Sequence, residues 1–169
     1  MRRDTAALLI AFSLVVAATT GSADAPKKTA QELLNDGLTA AKKEKKHVFL
    51  VIGSVGCNST VFLDDYHKDT AVQKILKPHY VFVRIEWPQV QGGKALWESY
   101  AKGKLRDPIW VILDSSGKPL AISGPGQTAG YPKSPADLTH YTKALQIGSP
   151  KLPDGDIDVL HQKLKQHGK

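Results

Sequence analysis

A single cysteine is the residue of this chain with the clearest potential for covalent chemistry. Cys57 follows a run of β-branched and aromatic residues and begins a segment with helical character. Free N–H groups at a helix N-terminus stabilise a thiolate, so this position favours a nucleophilic sulfur. Thr60 lies one helical turn further on, where its hydroxyl can form a hydrogen bond with the sulfur. The alternative is a buried, unreactive cysteine. The small and polar residues next to Cys57 favour an exposed loop instead.

The residue counts exclude several other kinds of site. The chain has 169 residues, a net charge of +7, one cysteine and six histidines. One cysteine excludes an internal disulfide, a zinc site built on several thiolates and a mechanism that needs two thiols in one chain. The histidines form no pair at the spacing of a helical metal site, so neither a metal nor another cofactor is expected. The length suffices for one domain with its own core.

Residues 1–25 have the layout of a signal peptide. Two arginines form a short positive region, residues 6–18 are apolar and uncharged, and small residues follow. Cleavage after Ala23 or after Ala25 fits this pattern. The apolar run is shorter than the ~20 residues of a membrane span, so an uncleaved anchor ranks second. The pattern predicts an exported protein, periplasmic or secreted, with no stable membrane span after cleavage.

The positive charge is concentrated in one short stretch. Residues 42–46 contain four lysines at the predicted end of a helix, where cations complement the helix dipole without needing a partner. A basic surface that binds anionic polymers remains a third functional hypothesis. Nucleic acid is not expected as a partner, because the chain is predicted to be exported.

Alternating helices and strands predict an α/β domain over residues 26–147. The predicted helices are 29–46, 59–66, 70–76, 94–102, 135–145 and 156–166, and the predicted strands are 47–52, 80–87, 109–113 and 120–122. A tight turn joins the last two strands, so the expected architecture is a central mixed sheet of about four strands flanked by helices. Residues 148–169 are predicted to form a linker and a short amphipathic helix, which either docks on the domain or stays apart.

The order of these features resembles the thioredoxin-like superfamily. The stretch KKHVFLVIGSVGCNST is similar to that family's first core strand and its Cys-x-x-Cys turn. The resemblance makes Cys57 the attacking cysteine and puts Thr60 in place of the resolving cysteine. It also makes Pro108 the family's cis-proline and Asp107 the residue whose backbone meets a substrate peptide. The resemblance extends over residues 47–147 and implies the thioredoxin-like fold.

Three further departures accompany the replacement of the resolving cysteine. Val51 stands where thioredoxins carry a buried acid that serves the resolving cysteine. Gly56 replaces the tryptophan before the attacking cysteine, which opens the site to substrates. Asp107 brings a carboxylate near Cys57, and a negative charge there disfavours a thiolate.

Two functions of different classes remain open at this point. In the first, Cys57 performs monothiol thiol–disulfide exchange on exported proteins with thiols or disulfides, as an isomerase or in deglutathionylation. Glutathione, the substrate or a reductase partner then supplies the second thiol. In the second, the site is redox-inactive and the cis-proline groove binds peptides or a protein partner. A dithiol reductase cycle is excluded for this chain alone, and the residues do not decide whether it is an enzyme.

Overall fold

A four-stranded sheet forms the centre of the computed structural model, which describes residues 27–103, 107–123, 130–150 and 152–168. The predicted signal peptide lies outside these residues. The strands are β1 (His47–Gly53), β2 (Tyr80–Glu86), β3 (Ile109–Leu113) and β4 (Pro119–Ile122), in the spatial order β2-β1-β3-β4. β1 is parallel to β2 and antiparallel to β3, and β3 and β4 form the hairpin. The predicted mixed sheet of four strands is confirmed.

Six helices among the described residues cover the two faces of the sheet. They are α1 (Ala30–Glu44), α2 (Asn58–Lys68), α3 (Thr70–Leu76), α4 (Gly93–Ala101), α5 (Pro135–Gly148) and α6 (Asp154–His167). Thr29 and Glu32 form a capping box that begins α1, and Ser134 and Asp137 form one that begins α5. No helix in the described part of the chain is long and apolar enough to cross a membrane.

The central strand β1 supplies side chains to both cores. Because successive residues of a strand point to opposite faces, Phe49 and Val51 join one core while Val48, Leu50 and Ile52 join the other. All five side chains are buried, since helices cover β1 on both sides. The strand therefore ends at Gly53 in a fixed position, from which the chain turns out towards Cys57.

The C-terminal helix α6 docks on the domain rather than standing apart. Ile157, Leu160 and Leu164 are buried in the core that contains Phe49, and α6 packs against α2 and α3. The Tyr131 hydroxyl donates to the carbonyl of Leu164. This helix is consequently an integral part of the core on its side of the sheet.

The carboxylate of Asp69, at the junction of α2 and α3, binds two side chains of α6. Asp69 caps α3 by accepting from the Ala71 and Val72 amides, and it accepts from Lys163 Nζ at 3.0 Å and His167 Nε2 at 3.3 Å. Partial burial alone would raise the pKa of Asp69, but these four donors outweigh it and lower the pKa to about 2. The ionised form is therefore bound more tightly in the folded chain than in the unfolded one.

We expect Asp69→Asn to lower the free energy of unfolding by about 1 kcal/mol at neutral pH, because Asn keeps the cap and loses the charged contacts. A pKa below its unfolded value stabilises the fold above about pH 4, and this contribution disappears as the pH falls through about 2. Urea unfolding of the wild type and Asp69→Asn between pH 7 and pH 2 should show that their free energies of unfolding converge as the pH falls. Asp65→Asn is the control, since its ion pair with Lys68 is exposed.

Candidate thiol site

Cys57 is the N-cap of α2 and lies beyond the carboxyl end of β1. Its carbonyl accepts the amides of Thr60 at 2.9 Å and Val61 at 3.0 Å, which begins the helix. The Cys57 side chain is half-buried and forms no disulfide. The sulfur therefore lies at the head of α2 and is partly open to solvent.

The surface beside the sulfur is open and partly apolar. Gly56 is exposed at a φ of +91°, in the left-handed region that favours glycine. Val55 and Val61, two residues before and four residues after Cys57, are 61% and 45% exposed. A partner that reaches Cys57 consequently meets apolar side chains first.

The backbone of Asp107 faces the sulfur. Cys57 Sγ lies 3.5 Å from the carbonyl oxygen of Asp107, and the Asp107–Pro108 peptide bond is cis. The structure thus brings together Cys57, Gly56, Asp107 and Pro108, four of the residues expected to form one site. The contact joins the head of α2 to the segment that enters β3.

The carboxylate of Asp107 is bound by donors other than Cys57. The Ser54 amide donates to both carboxylate oxygens, at 3.0 and 2.9 Å, and the Ser54 hydroxyl donates to Oδ2. Trp87 Nε1 donates to Oδ1 at 3.1 Å. The two acceptor groups of Asp107 therefore make different contacts. The carboxylate binds Ser54 and Trp87, and the backbone carbonyl contacts the sulfur.

The expected hydrogen bond between Thr60 and the sulfur is absent. The side chain of Thr60 is 1% exposed, and its Oγ1 has no hydrogen-bond partner. It packs instead against Gly53, which Pro108 also approaches, because the first turn of α2 presents this position to the end of the sheet. Thr60 is therefore a buried packing residue beneath the site and forms no hydrogen bond with the sulfur.

An arginine links the end of β1 to α2 beneath the site. Arg84 lies opposite Val51 in the β1–β2 register and donates through Nη1 to the Gly53 carbonyl at 3.1 Å. Its Nε donates to Asp64 Oδ1 on α2 at 2.7 Å. Val51 is buried with 2% exposure, so the sheet beside Arg84 is apolar at this point.

Ser54, Trp87 and Arg84 are site residues that sequence reasoning missed. Tryptophan is most simply a core residue, and the sequence predicts this role for Trp87, Trp97 and Trp110 alike. Only Trp110 is fully buried; Trp87 and Trp97 are half-buried and stack with ring centroids 5.2 Å apart. The sequence does hold one signal for Ser54 and Trp87. Each directly follows one of two neighbouring parallel strands, and residues in such positions meet at one edge of the sheet.

Histidine does not extend the site. His67 is surrounded by the rings of Phe49, Tyr66 and Phe82, and its Nε2 is buried without a hydrogen-bond partner. Burial, with a smaller effect from Arg84, lowers the pKa of His67 to about 3, so the ring is neutral at physiological pH. Among the described residues, no group of three or more His, Cys, Asp or Glu side chains is placed to hold a metal ion.

We expect Trp87→Phe to lower the free energy of unfolding by about 1–2 kcal/mol, because it removes a donor from a carboxylate. Trp97→Phe is the matched control, since Trp97 Nε1 is buried without a partner and its loss breaks no hydrogen bond. Urea unfolding measures both, and a double-mutant cycle with Asp107→Asn isolates the pair. Equal losses in the two tryptophan variants would contradict a specific role for the Trp87–Asp107 contact.

Comparison with known proteins identifies the family. The profile of the thioredoxin-like family matches residues 29–115, just over half of the chain. The chain therefore belongs to the thioredoxin-like family. The crystal structure of a disulphide isomerase from Xylella fastidiosa Temecula1 is similar, with a TM-score of 0.52 and 20% sequence identity over 86% of this chain and 98% of that one. At this identity the likeness concerns the fold. No curated protein matches the chain.

Proposed function

We propose that this protein performs monothiol thiol–disulfide exchange at Cys57 on exported proteins. The observation that carries the proposal is the position of the half-buried sulfur at the head of α2. The sulfur lies at the N-terminal end of α2, which is the positive end of the helix dipole. The exposed Val55 and Gly56 leave room for a polypeptide at the sulfur.

The reaction conserves electrons through a mixed disulfide. The Cys57 thiolate attacks one sulfur of a substrate disulfide, so a bond forms between Cys57 and that sulfur while the substrate S–S bond breaks. The released substrate thiolate takes a proton from water. When that thiolate, or another on the same substrate, attacks the mixed disulfide, Cys57 is freed and the substrate disulfides are rearranged without net oxidation. With a glutathionylated substrate, a second glutathione frees Cys57 and leaves as glutathione disulfide.

Trapping the mixed disulfide tests this proposal. We expect the chain to form a mass-detectable adduct with a glutathionylated peptide and to release the peptide thiol, whereas Cys57→Ser should do neither. Thr60→Cys supplies a resolving thiol one helical turn from the sulfur, so we expect it to replace the adduct by an internal disulfide. Absence of any adduct over pH 6 to 9 in a folded chain would exclude the exchange reaction.

A redox-inactive binding module is the second candidate, and one contact favours it. At 3.5 Å, the Cys57 thiol donates to the Asp107 carbonyl, which a thiolate cannot do. In this reading the backbone beside Pro108 holds an extended peptide, as the family resemblance implies. Equal peptide binding by the wild type and Cys57→Ser, without adduct formation, would favour this module over the enzyme.

A further inference from the structure

The end of the molecule opposite Cys57 carries lysines from two separate parts of the chain. We call this surface the basic end; its members are Lys42, Lys43, Lys45, Lys46 and Lys118. The first four follow or end α1, and Lys118 lies in the turn between β3 and β4. All are exposed except Lys46, which is half-buried. The lysines at the end of α1 can be explained by their favourable interaction with the helix dipole. Lys118 cannot, because it is not on that helix.

Packing of the β3–β4 turn against α1 brings the two groups together. Gly117 lies against the side chain of Leu38, and a β-carbon at Gly117 would be 3.3 Å from Leu38 Cδ1. Lys42 follows Leu38 at four positions, so it shares its face of the helix, and Lys45 is the C-cap that ends α1 directly after Glu44. Lys42, Lys45 and Lys118 therefore lie at the same end of the sheet.

The carboxylates near this surface neutralise it only in part. Glu44 is bound to Lys46 at 2.6 Å. Asp114 accepts from Ser116 and from the Lys118 amide within its own turn. Five lysines thus stand against two carboxylates. A third carboxylate, that of Asp156, lines a groove with Lys74 and His79.

An exposed apolar side chain lies at the same end of the sheet. The His79 carbonyl accepts from the His47 amide, next to Lys46, and His79 Nδ1 lies 2.8 Å from Ser149 Oγ. Two residues before Ser149, the side chain of Ile147 is 52% exposed. Lysines together with an exposed aliphatic side chain suit the headgroup region of a bilayer better than they suit a nucleic acid.

We propose that the basic end binds the anionic phospholipid surface of a membrane. β1 starts at this end and finishes beside the Cys57 loop, about 20 Å away for seven strand residues. Binding therefore turns Cys57 away from the lipid, towards partners in solution. This proposal is independent of the reaction proposed for Cys57.

Vesicle binding by matched lysine variants tests the proposal. The full chain is mixed with vesicles of phosphatidylcholine, with or without phosphatidylglycerol, and the ratio of the two affinities cancels the contribution of the apolar residues 6–18. We expect a preference for phosphatidylglycerol that falls steeply with salt. The combined change of Lys42, Lys45 and Lys118 to Gln should reduce the preference by about fivefold per lysine, or on the order of 100-fold.

The control removes the same charge from the other end of the molecule. It changes Lys28, Lys94 and Lys133 to Gln, and we expect it to keep most of the preference. An equal loss in both triple variants would show that only net charge matters and would overturn the proposal. The proposal would also be overturned if the wild type showed no preference for phosphatidylglycerol. The same holds if the chain bound a DNA duplex through these lysines and did not bind phosphatidylglycerol vesicles.

Discussion

Gly130→Ala is expected to lower the free energy of unfolding by about 3 kcal/mol and to displace the segment that faces Cys57. A β-carbon at Gly130 would lie 2.0 Å from the Pro108 carbonyl oxygen and 2.8 Å from its carbonyl carbon. Both are backbone atoms, so no side-chain rotation relieves the overlap. Since Asp107 precedes Pro108, the displacement should also change the rate at which Cys57 is alkylated by iodoacetamide.

Gly155→Ala is the matched control for this substitution. Gly155 lies in the first turn of α6, and a β-carbon there meets nothing within 4 Å. Alanine is a better helix former than glycine, so we expect a gain of up to about 1 kcal/mol and no change in the alkylation of Cys57. Equal stability and equal alkylation rates in the Gly130 variant and the wild type would contradict the close packing of Gly130 against Pro108.

Leu160→Ala is expected to lower the free energy of unfolding by about 3 kcal/mol, because it leaves a cavity in a closed core. Leu160 is 1% exposed and belongs to the core that includes Phe49, Tyr66 and Trp110. The substitution leaves the residues around Cys57 unchanged, so alkylation of the folded protein should not change. Urea unfolding followed by tryptophan fluorescence measures the loss, with Trp110 as a reporter inside this core.

Gln162→Ala controls for helix propensity in the same element. Gln162 is exposed on α6, so we expect its replacement to change stability by less than about 0.5 kcal/mol. A small loss in both variants would mean that α6 contributes little to stability and is detachable, as a separate C-terminal appendage would be.

The elements of this fold could be predicted because their signals are local. The run 47–52 is apolar throughout, as a strand covered on both faces must be, and it forms β1. Thr29 was predicted to begin the first helix and does so, with Glu32 completing the capping box. The docking of α6 was left open, since an amphipathic pattern shows an apolar face without showing what covers it.

The contacts of the site could not be predicted in the same way, because they join residues far apart in the chain. Ser54 and Asp107 are 53 residues apart, and Trp87 is 20 residues from Asp107. No local pattern marks such a pair. Thr60 illustrates a second limit: spacing along a helix gives the neighbours on one face, but only the packing of α2 on the sheet decides that Thr60 turns inwards.

The burial of α6 also sets the order in which the domain can be completed during synthesis. Residues of β1, α2, α3 and α5 leave the ribosome first, yet the core they share stays uncovered until Ile157, Leu160 and Leu164 have been made. A nascent chain that stops before α6 therefore exposes aromatic side chains to chaperones and proteases. Residues 1–25 predict export, and a chain that has not closed its core can still be threaded through a translocon.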